Sequence, residues 1–200
     1  MAAGIETRLD PVELMVCDDQ LRLNKPGNRY DILTTDRLLL RPLVDADADS
    51  LHPALSDREA MKYWSGVAET LDETQRYLRY NIDPDGADCF AITRKESPCV
   101  ALGWVILMDR RPAIAELGYL LVPSAQGAGL AREAVACALD YGFTTRGYRR
   151  IYADTDPEND RSIALLEALG FVLEGRHRAT WETHIGIRDS AIYALLNPQS

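Results

Sequence analysis

The stretch that most constrains this chain runs from Glu116 to Val135, "ELGYLLVPSAQGAGLAREAV", where an apolar strand-like run meets a glycine turn and then a helical stripe. Pro123 stops the strand because it lacks the amide proton that a continuing ladder needs. Beyond the turn, Leu130, Ala134, Val135, Ala138, Leu139 and Phe143 recur at three- and four-residue spacing, which puts them on one buried helical stripe. A glycine-rich turn entering a helix exposes backbone amides at the positive end of the helix dipole and suits an anion such as pyrophosphate. A tight turn without a ligand satisfies the same residues. Two phosphate loops are tested by position. A P-loop requires Lys followed by Ser or Thr after its last glycine, where Leu130 and Ala131 stand. A dinucleotide fingerprint starting at Gly127 puts Arg132 where close helix packing needs a small residue. Asp154, at the end of the next strand, comes later than the usual ribose-binding acid, so a nicotinamide oxidoreductase is disfavoured.

Periodicity extends the reading in both directions. "RLLLRPL" (Arg37 to Leu43) reads as a strand. Asp45 to Ser56 and Asp72 to Asn81 read as helices, the second with Asp72 as N-cap and Gln75 as its capping-box partner. "CFAITR" (Cys89 to Arg94) and "VALGWVILM" (Val100 to Met108) form an antiparallel hairpin across a turn containing Ser97 and Pro98, and "AIAELGYLLV" (Ala113 to Val122) is a third strand. "RIYADT" (Arg150 to Thr155) follows as a strand and Ser162 to Leu169 as an amphipathic helix capped by Gly170. Two strands close the chain, near Phe171 to Arg178 and Ser190 to Leu196. This order predicts an α/β chain with mixed sheet directions. Residues 1–33 have weak periodicity, a turn at "NKPGN" (Asn24 to Asn28) and one short helical stretch around Pro11 to Leu21, and they read as an N-terminal extension.

At 200 residues the chain is long enough for one core. Its 22 Lys and Arg against 31 Asp and Glu leave a net charge of -9, which opposes the nucleic-acid backbone and suits cationic partners. Cysteines at 17, 89, 99 and 137 show neither a C-x-x-C pair nor zinc-ribbon spacing and read as reduced, mostly buried thiols. His52, His177 and His184 lack metal-ligand spacing, so no metal is expected. Charges run through the first thirty residues, which argues against a signal peptide or membrane span and makes the cytoplasm the expected compartment.

Gln126, Gly129 and Ala131 fit a Gln/Arg-x-x-Gly-x-Gly/Ala loop that resembles the acyl-CoA-binding signature of the GNAT N-acyltransferase superfamily. The segment Glu116 to Val135 resembles that family's fourth strand, pyrophosphate loop and third helix, and "NDRSIALLEALGF" (Asn159 to Phe171) its later cofactor-facing segment. "TDRLLLRPL" (Thr35 to Leu43), the N-x-x-S spacing of Asn159 and Ser162, and "RDSAIYALL" (Arg188 to Leu196) resemble the branch of ribosomal-protein-alanine N-acetyltransferases, RimJ- or RimL-like. The likeness covers about residues 34–196. It implies a GNAT domain over 34–200, of α/β (α+β) class, with a mixed, mostly antiparallel twisted sheet of about seven strands and about four helices.

The resemblance also implies an activity: acetyl-CoA-dependent transfer of an acetyl group to a primary amine by direct attack on the thioester. A protein N-terminus is the first candidate acceptor and a small amine the second. A non-catalytic CoA-binding module or sensor on the same fold is the alternative. Leu120, Leu121 and Val122 would lie where one strand bulges from its neighbour and leaves backbone groups for the pantetheine arm, with an amide near Leu121 facing the oxyanion. Gln126, Gly127, Ala128, Gly129, Leu130 and Ala131 would hold the pyrophosphate, and Asn159 the pantetheine. Glu116 sits at the position often assigned to a base; a strand Glu turned to solvent is the competing reading. Many members carry a Tyr seven residues beyond the Asn, where this chain has Leu166. Ser162 falls where the ribosomal-protein branch places a hydroxyl near the sulfur, and equally suits an ordinary first helical turn. Tyr63, Trp64, Tyr77, Trp104, Trp181 and His184 would surround the acceptor mouth or serve as packing; Trp64, Glu116 and Trp181 are the substrate candidates.

Overall fold

The computed structural model describes residues 31–64, 66–82 and 86–198. The helical stretch expected around Pro11 to Leu21 and the turn at Asn24 to Asn28 lie outside the described residues. Along the chain the elements are β1 (Leu33–Thr34), β2 (Leu38–Pro42), α1 (Ala48–Leu55), α2 (Leu71–Ile82), β3 (Ala87–Arg94), β4 (Ser97–Arg111) and β5 (Ile114–Leu121). There follow α3 (Leu130–Thr144), β6 (Arg150–Thr155), α4 (Asp160–Ala168), β7 (Val172–Thr183) and β8 (Gly186–Leu196). Among the described residues the strands make one eight-stranded sheet in the order β1-β2-β3-β4-β5-β6-β8-β7. Every neighbouring pair is antiparallel except β5 and β6.

Alternation along the strands assigns the two faces. Trp104 looks toward α2, whose Tyr77 ring lies 6.0 Å from it. Leu107, three residues on, meets α3 from the other side: its Cδ1 and that of Ile151 crowd Gly142 of the helix. Both helical layers thus cover the sheet, and the core runs through Leu38, Leu51, Leu78, Ile92, Leu107, Ala134, Val135 and Ile151, all buried. Within it Arg41 of β2 is wholly buried and bonds both carboxylate oxygens of Asp47, at 2.9 and 2.6 Å, tying the sheet to the entry of α1.

Four local expectations are corrected. The strand count is eight because β1, two residues long, carries too little pattern to be read. The β3–β4 turn precedes Ser97, which already pairs with Arg94. The capping box of α2 is Thr70 with Glu73, not Asp72 with Gln75: the Glu73 amide donates to Thr70 Oγ1 at 3.2 Å and the Thr70 amide to Glu73 Oε2 at 3.2 Å. β7 continues past Arg178 to Thr183 through an irregularity between His177 and Trp181, where Ala179 has a φ of 55° and the two-residue alternation breaks. Of the cysteines, Cys89 and Cys137 are free thiols, whereas Cys99 is disulfide-bonded, against the expectation of reduced thiols throughout. Among the described residues no helix is long and apolar enough to cross a membrane.

Candidate active site

β5 and β6 pair only through Ile114 with Arg150, Ala115 with Ile151 and Glu116 with Tyr152, after which both strands continue unpaired and a gap opens between them. On its other edge β5 stays on β4 as far as Leu121 opposite Gly103, and the Val122 amide donates to the Leu102 carbonyl at 2.8 Å. Peptide groups alternate in direction along an antiparallel strand, so with Val122 and Leu120 turned to β4, those of Tyr119 and Leu121 turn into the gap. The Leu121 carbonyl accepts from Gln126 Nε2 at 3.1 Å, in keeping with that orientation. The side chains of Leu120, Leu121 and Val122 are buried, so backbone is what this segment offers a ligand. β4 carries a bulge here, since Ile92 pairs with Gly103 and Thr93 with Ala101. A Cβ at Gly103 would stand 2.0 Å from the Leu120 carbonyl oxygen, an approach that only glycine permits.

The glycine turn leaves the end of this gap. Gln126 to Gly129 are exposed, and Gly127 and Gly129 hold φ of 80° and 75° in the left-handed region, open to glycine without strain. The first amides of α3 therefore face outward at the positive helix end. Glu133, in that first turn, would repel an anion, but Arg37 pairs with it at 2.6 Å and Thr35 Oγ1 donates to it at 2.5 Å. Burial alone would push the Glu133 carboxyl up; the bonds from Thr35 and Arg37 prevail and hold it below its ordinary range. The Arg37 guanidinium also donates to the Ala128 carbonyl at 3.0 Å, which places a cation beside the loop. Gln126 spans the gap's mouth, because its Oε1 accepts from Arg161 of α4 at 3.0 Å.

α4 closes the α3 side of the gap. Asn159 is its N-cap, and its side chain accepts from the Ser162 amide at 3.2 Å. Ser162 Oγ lies 2.7 Å from the hydroxyl of Tyr119, a β5 residue 43 positions earlier, and burial pushes that phenol up to about 12. Leu166 is fully buried in the core, so the phenol at this point of the gap comes from β5 and not from α4.

The opposite face carries the other candidates. Trp64 packs on Gly118 of β5, where a Cβ would meet its Cη2 at 3.1 Å. Its ring meets Trp104 edge-on at 6.0 Å, and its Nε1 donates to the Tyr77 hydroxyl at 2.5 Å. Glu116 points to this same face, with its side chain only 17% exposed, and Oε2 accepts from Arg110 Nε at 2.7 Å and from the Tyr152 hydroxyl at 2.9 Å. Trp181 is half exposed on β7 and donates from Nε1 to Asp154 Oδ2 at 3.1 Å. Burial pushes the Asp154 carboxyl above its ordinary value, the Glu116 charge adding to the effect and the polar Ser190 and Trp181 side chains opposing it.

A backbone-lined gap leading to an anion-accepting loop is a shape that family comparison can test. Residues 37–172 match the model of the acetyltransferase (GNAT) domain. The chain belongs to the GNAT acetyltransferase family. It is 32% identical over 171 residues to the uncharacterized N-acetyltransferase p20 of Bacillus licheniformis, covering 83% of this chain and 96% of that protein. It is also similar to the crystal structure of a spermidine N-acetyltransferase from Vibrio cholerae in complex with CoA and spermine, at TM-score 0.71 and 27% identity over 82% of this chain and 97% of that one. RimL, a ribosomal-protein α-N-acetyltransferase solved with coenzyme A, shares the fold at TM-score 0.73 and 21% identity, covering 85% of this chain and all (100%) of that one.

As a GNAT enzyme the protein is an N-acetyltransferase that takes its acetyl group from acetyl-CoA. The residues fit that donor: a gap with unpaired peptide groups admits an extended amide-bearing arm, and a loop of outward amides beside Arg37 admits pyrophosphate. Among the described residues no cluster of His, Cys, Asp and Glu could hold a metal ion. The structure brings Leu120 to Val122, the loop, Asn159 and Ser162 around one side of the gap, and Trp64, Glu116 and Trp181 on the other. Sequence reading missed Tyr119, Arg37 and Arg110 as members of this site, and it assigned Asp154 only to the rejected dinucleotide fingerprint. The two-residue alternation with Glu116 could have placed Asp154 once the parallel pairing was known; nothing in the sequence signals the Tyr119–Ser162 contact.

Proposed function

We propose that the enzyme acetylates a primary amine that arrives as a cation, by direct attack of the amine on the thioester. One observation carries this reading: β5 and β6 part beyond Glu116 and Tyr152, with donor-binding backbone and α4 on one face and the partly buried Glu116 and Asp154 carboxylates beside Trp64 and Trp181 on the other. The domain that does this begins at β1, whose Leu33 pairs with Leu40 one residue ahead of the expected boundary at 34, and the residues before it are an extension. The amides of Gln126 to Ala131 hold the pyrophosphate, Asn159 bonds the pantetheine through the amide group not used in capping, and the Leu121 N–H faces the developing oxyanion. Ser162 hands a proton to the departing sulfur, and Tyr119 orients its hydroxyl. Trp64 and Trp181 wall the acceptor, with Glu116 contributing negative charge.

Carboxylates at Glu116 and Asp154 favour an ammonium, and the likeness to a spermidine N-acetyltransferase supports a small polyamine ahead of a protein N-terminus. The first measurement is thermal melting with saturating acetyl-CoA, with NADH as control; ligand at 100 times Kd stabilises by about 2.7 kcal/mol, or roughly 5 to 11 °C here. Acetyl transfer to spermidine and to a short peptide with an N-terminal alanine is then followed by thiol release. Faster transfer to spermidine supports the reading, and faster transfer to the peptide moves the acceptor to protein N-termini. Acetyl-CoA binding with no transfer to any amine would overturn it in favour of a CoA sensor.

A further inference from the structure

Resting on the reading just given, we propose that Asp154, not Glu116, is the carboxylate that removes the proton from the acceptor's ammonium group. Three observations meet at this residue. Its position is the first: the last β5–β6 pair joins Glu116 and Tyr152, and Asp154 lies two residues further along β6, on the same face and beyond the point where the strands part. Its unused oxygen is the second. Oδ2 accepts from Trp181 Nε1 at 3.1 Å, but Oδ1 is buried with no hydrogen-bond partner, a condition that folded proteins avoid unless a ligand or the chemistry uses the atom. The third is that Glu116 is already committed, its Oε2 shared by the Arg110 guanidinium and the Tyr152 hydroxyl. Of the two carboxylates on the acceptor side, Glu116 is held in an ion pair with Arg110, whereas Asp154 has no ion-pair partner among the described residues.

The groups facing Asp154 agree with that task. Burial is the largest influence and raises the carboxyl, Glu116 on β5 adds negative potential, and Ser190 on β8 with Trp181 and His177 on β7 draw the other way without prevailing, so the carboxyl titrates above its ordinary range. A carboxylate made more basic than usual takes a proton from an ammonium more readily than an ordinary one.

The step balances. An N–H bond of the ammonium breaks, its proton bonds Asp154 Oδ1, and the electron pair stays on nitrogen. That nitrogen bonds the acetyl carbonyl carbon, and the carbon–sulfur bond breaks with its pair left on sulfur. Ser162 gives its hydroxyl proton to that sulfur and is restored by the nitrogen's surplus proton, and Asp154 returns the first proton to solvent. The products are an amide, a thiol and one proton.

Asp154→Asn and Asp154→Ala test the assignment, with the more reactive of the two amines above as acceptor. For Asp154→Asn the expected results are a fall of roughly 100-fold or more in kcat/KM for the amine and an unchanged Kd for acetyl-CoA. Its log kcat/KM should follow the free-amine fraction with pH, without the wild-type enzyme's acidic limb. Its Tm at neutral pH should equal or exceed the wild type, since the substitution removes a buried charge but keeps an acceptor for Trp181. A residue of merely structural use would give the reverse: lower Tm in both variants, with Asn restoring rate and pH profile. Retention of half the wild-type kcat/KM with an unchanged profile overturns the proposal. Independently of any acceptor, carbon NMR titration of the Asp154 carboxyl in the acetyl-CoA complex reads its pKa; a value at or below about 3.9 overturns the proposal too. Failure of acetyl-CoA itself to bind would instead remove the reading on which the proposal rests.

Discussion

At the scale of single residues, the contact to test first is Tyr119 with Ser162. Ser162→Ala should lower kcat by about 100-fold while leaving the Kd for acetyl-CoA within a factor of about 2, because in its proposed role the hydroxyl serves the leaving sulfur and not the ground state. Tyr119→Phe should lower kcat less, by roughly tenfold, since Ser162 keeps its hydroxyl and loses only the group 2.7 Å away that orients it. Steady-state kinetics with acetyl-CoA varied would check both, and equal turnover in all three proteins would remove the pair from the mechanism. The two members differ in how visible they were. Gln126, Gly129 and Ala131 declare themselves because they are close in sequence and keep a fixed spacing, with Gly129 in the left-handed region that favours glycine. Ser162 was readable by its three-residue spacing from Asn159. Tyr119 was not, because a meeting across 43 positions leaves no spacing to detect, and in isolation it is one aromatic in an apolar strand.

At the scale of elements, long runs with a clean period were legible and the places where the period fails were not. β6 is the strand read from "RIYADT", and α3 carries the expected stripe. The bulge at Leu102 and the irregularity in β7 break alternation without a turn residue to announce it. Beside the first of these, Gly103 lies against the Leu120 carbonyl on the edge of β5 away from the gap. Gly103→Ala would drive a methyl into the Leu120 carbonyl, so β4 and β5 must separate where Leu121 is positioned. Expected are a loss of at least about 2 kcal/mol in urea unfolding and weaker acetyl-CoA binding by calorimetry. Retained affinity would mean that the bulge is incidental to the gap. A second element-scale test concerns the capping box: Thr70→Ala should cost about 1 kcal/mol, or roughly 2 to 4 °C in Tm, while Asp72→Ala should cost markedly less.

At the scale of the whole molecule, stability against pH collects carboxylates of opposite sign. Glu133, Asp156 and Glu174 sit below their ordinary values: burial pushes the first two up but hydrogen bonds and Arg37 or Arg188 prevail, and the Arg150 bond holds Glu174. A depressed group contributes stability that is complete above its unfolded pKa and is lost as pH falls through its folded one, so these three weaken the fold below about pH 4. Asp154 and Asp88 are raised, chiefly by burial. For a raised carboxyl the sign reverses: its charge destabilises the fold above the folded pKa, and the penalty fades as pH falls toward the unfolded value. Tm should therefore climb modestly as pH falls from neutral into the upper carboxylate range, and drop steeply below about 4. Scans of Asp154→Asn should be flatter on the upper shoulder and unchanged in the acid drop, whereas Glu133→Gln should lower Tm at neutral pH and soften the drop. If Asp154→Asn and wild type trace the same shoulder, burial of Asp154 does not tax the fold, and the oxygen left unpaired beside the gap is no store of stability given up for turnover.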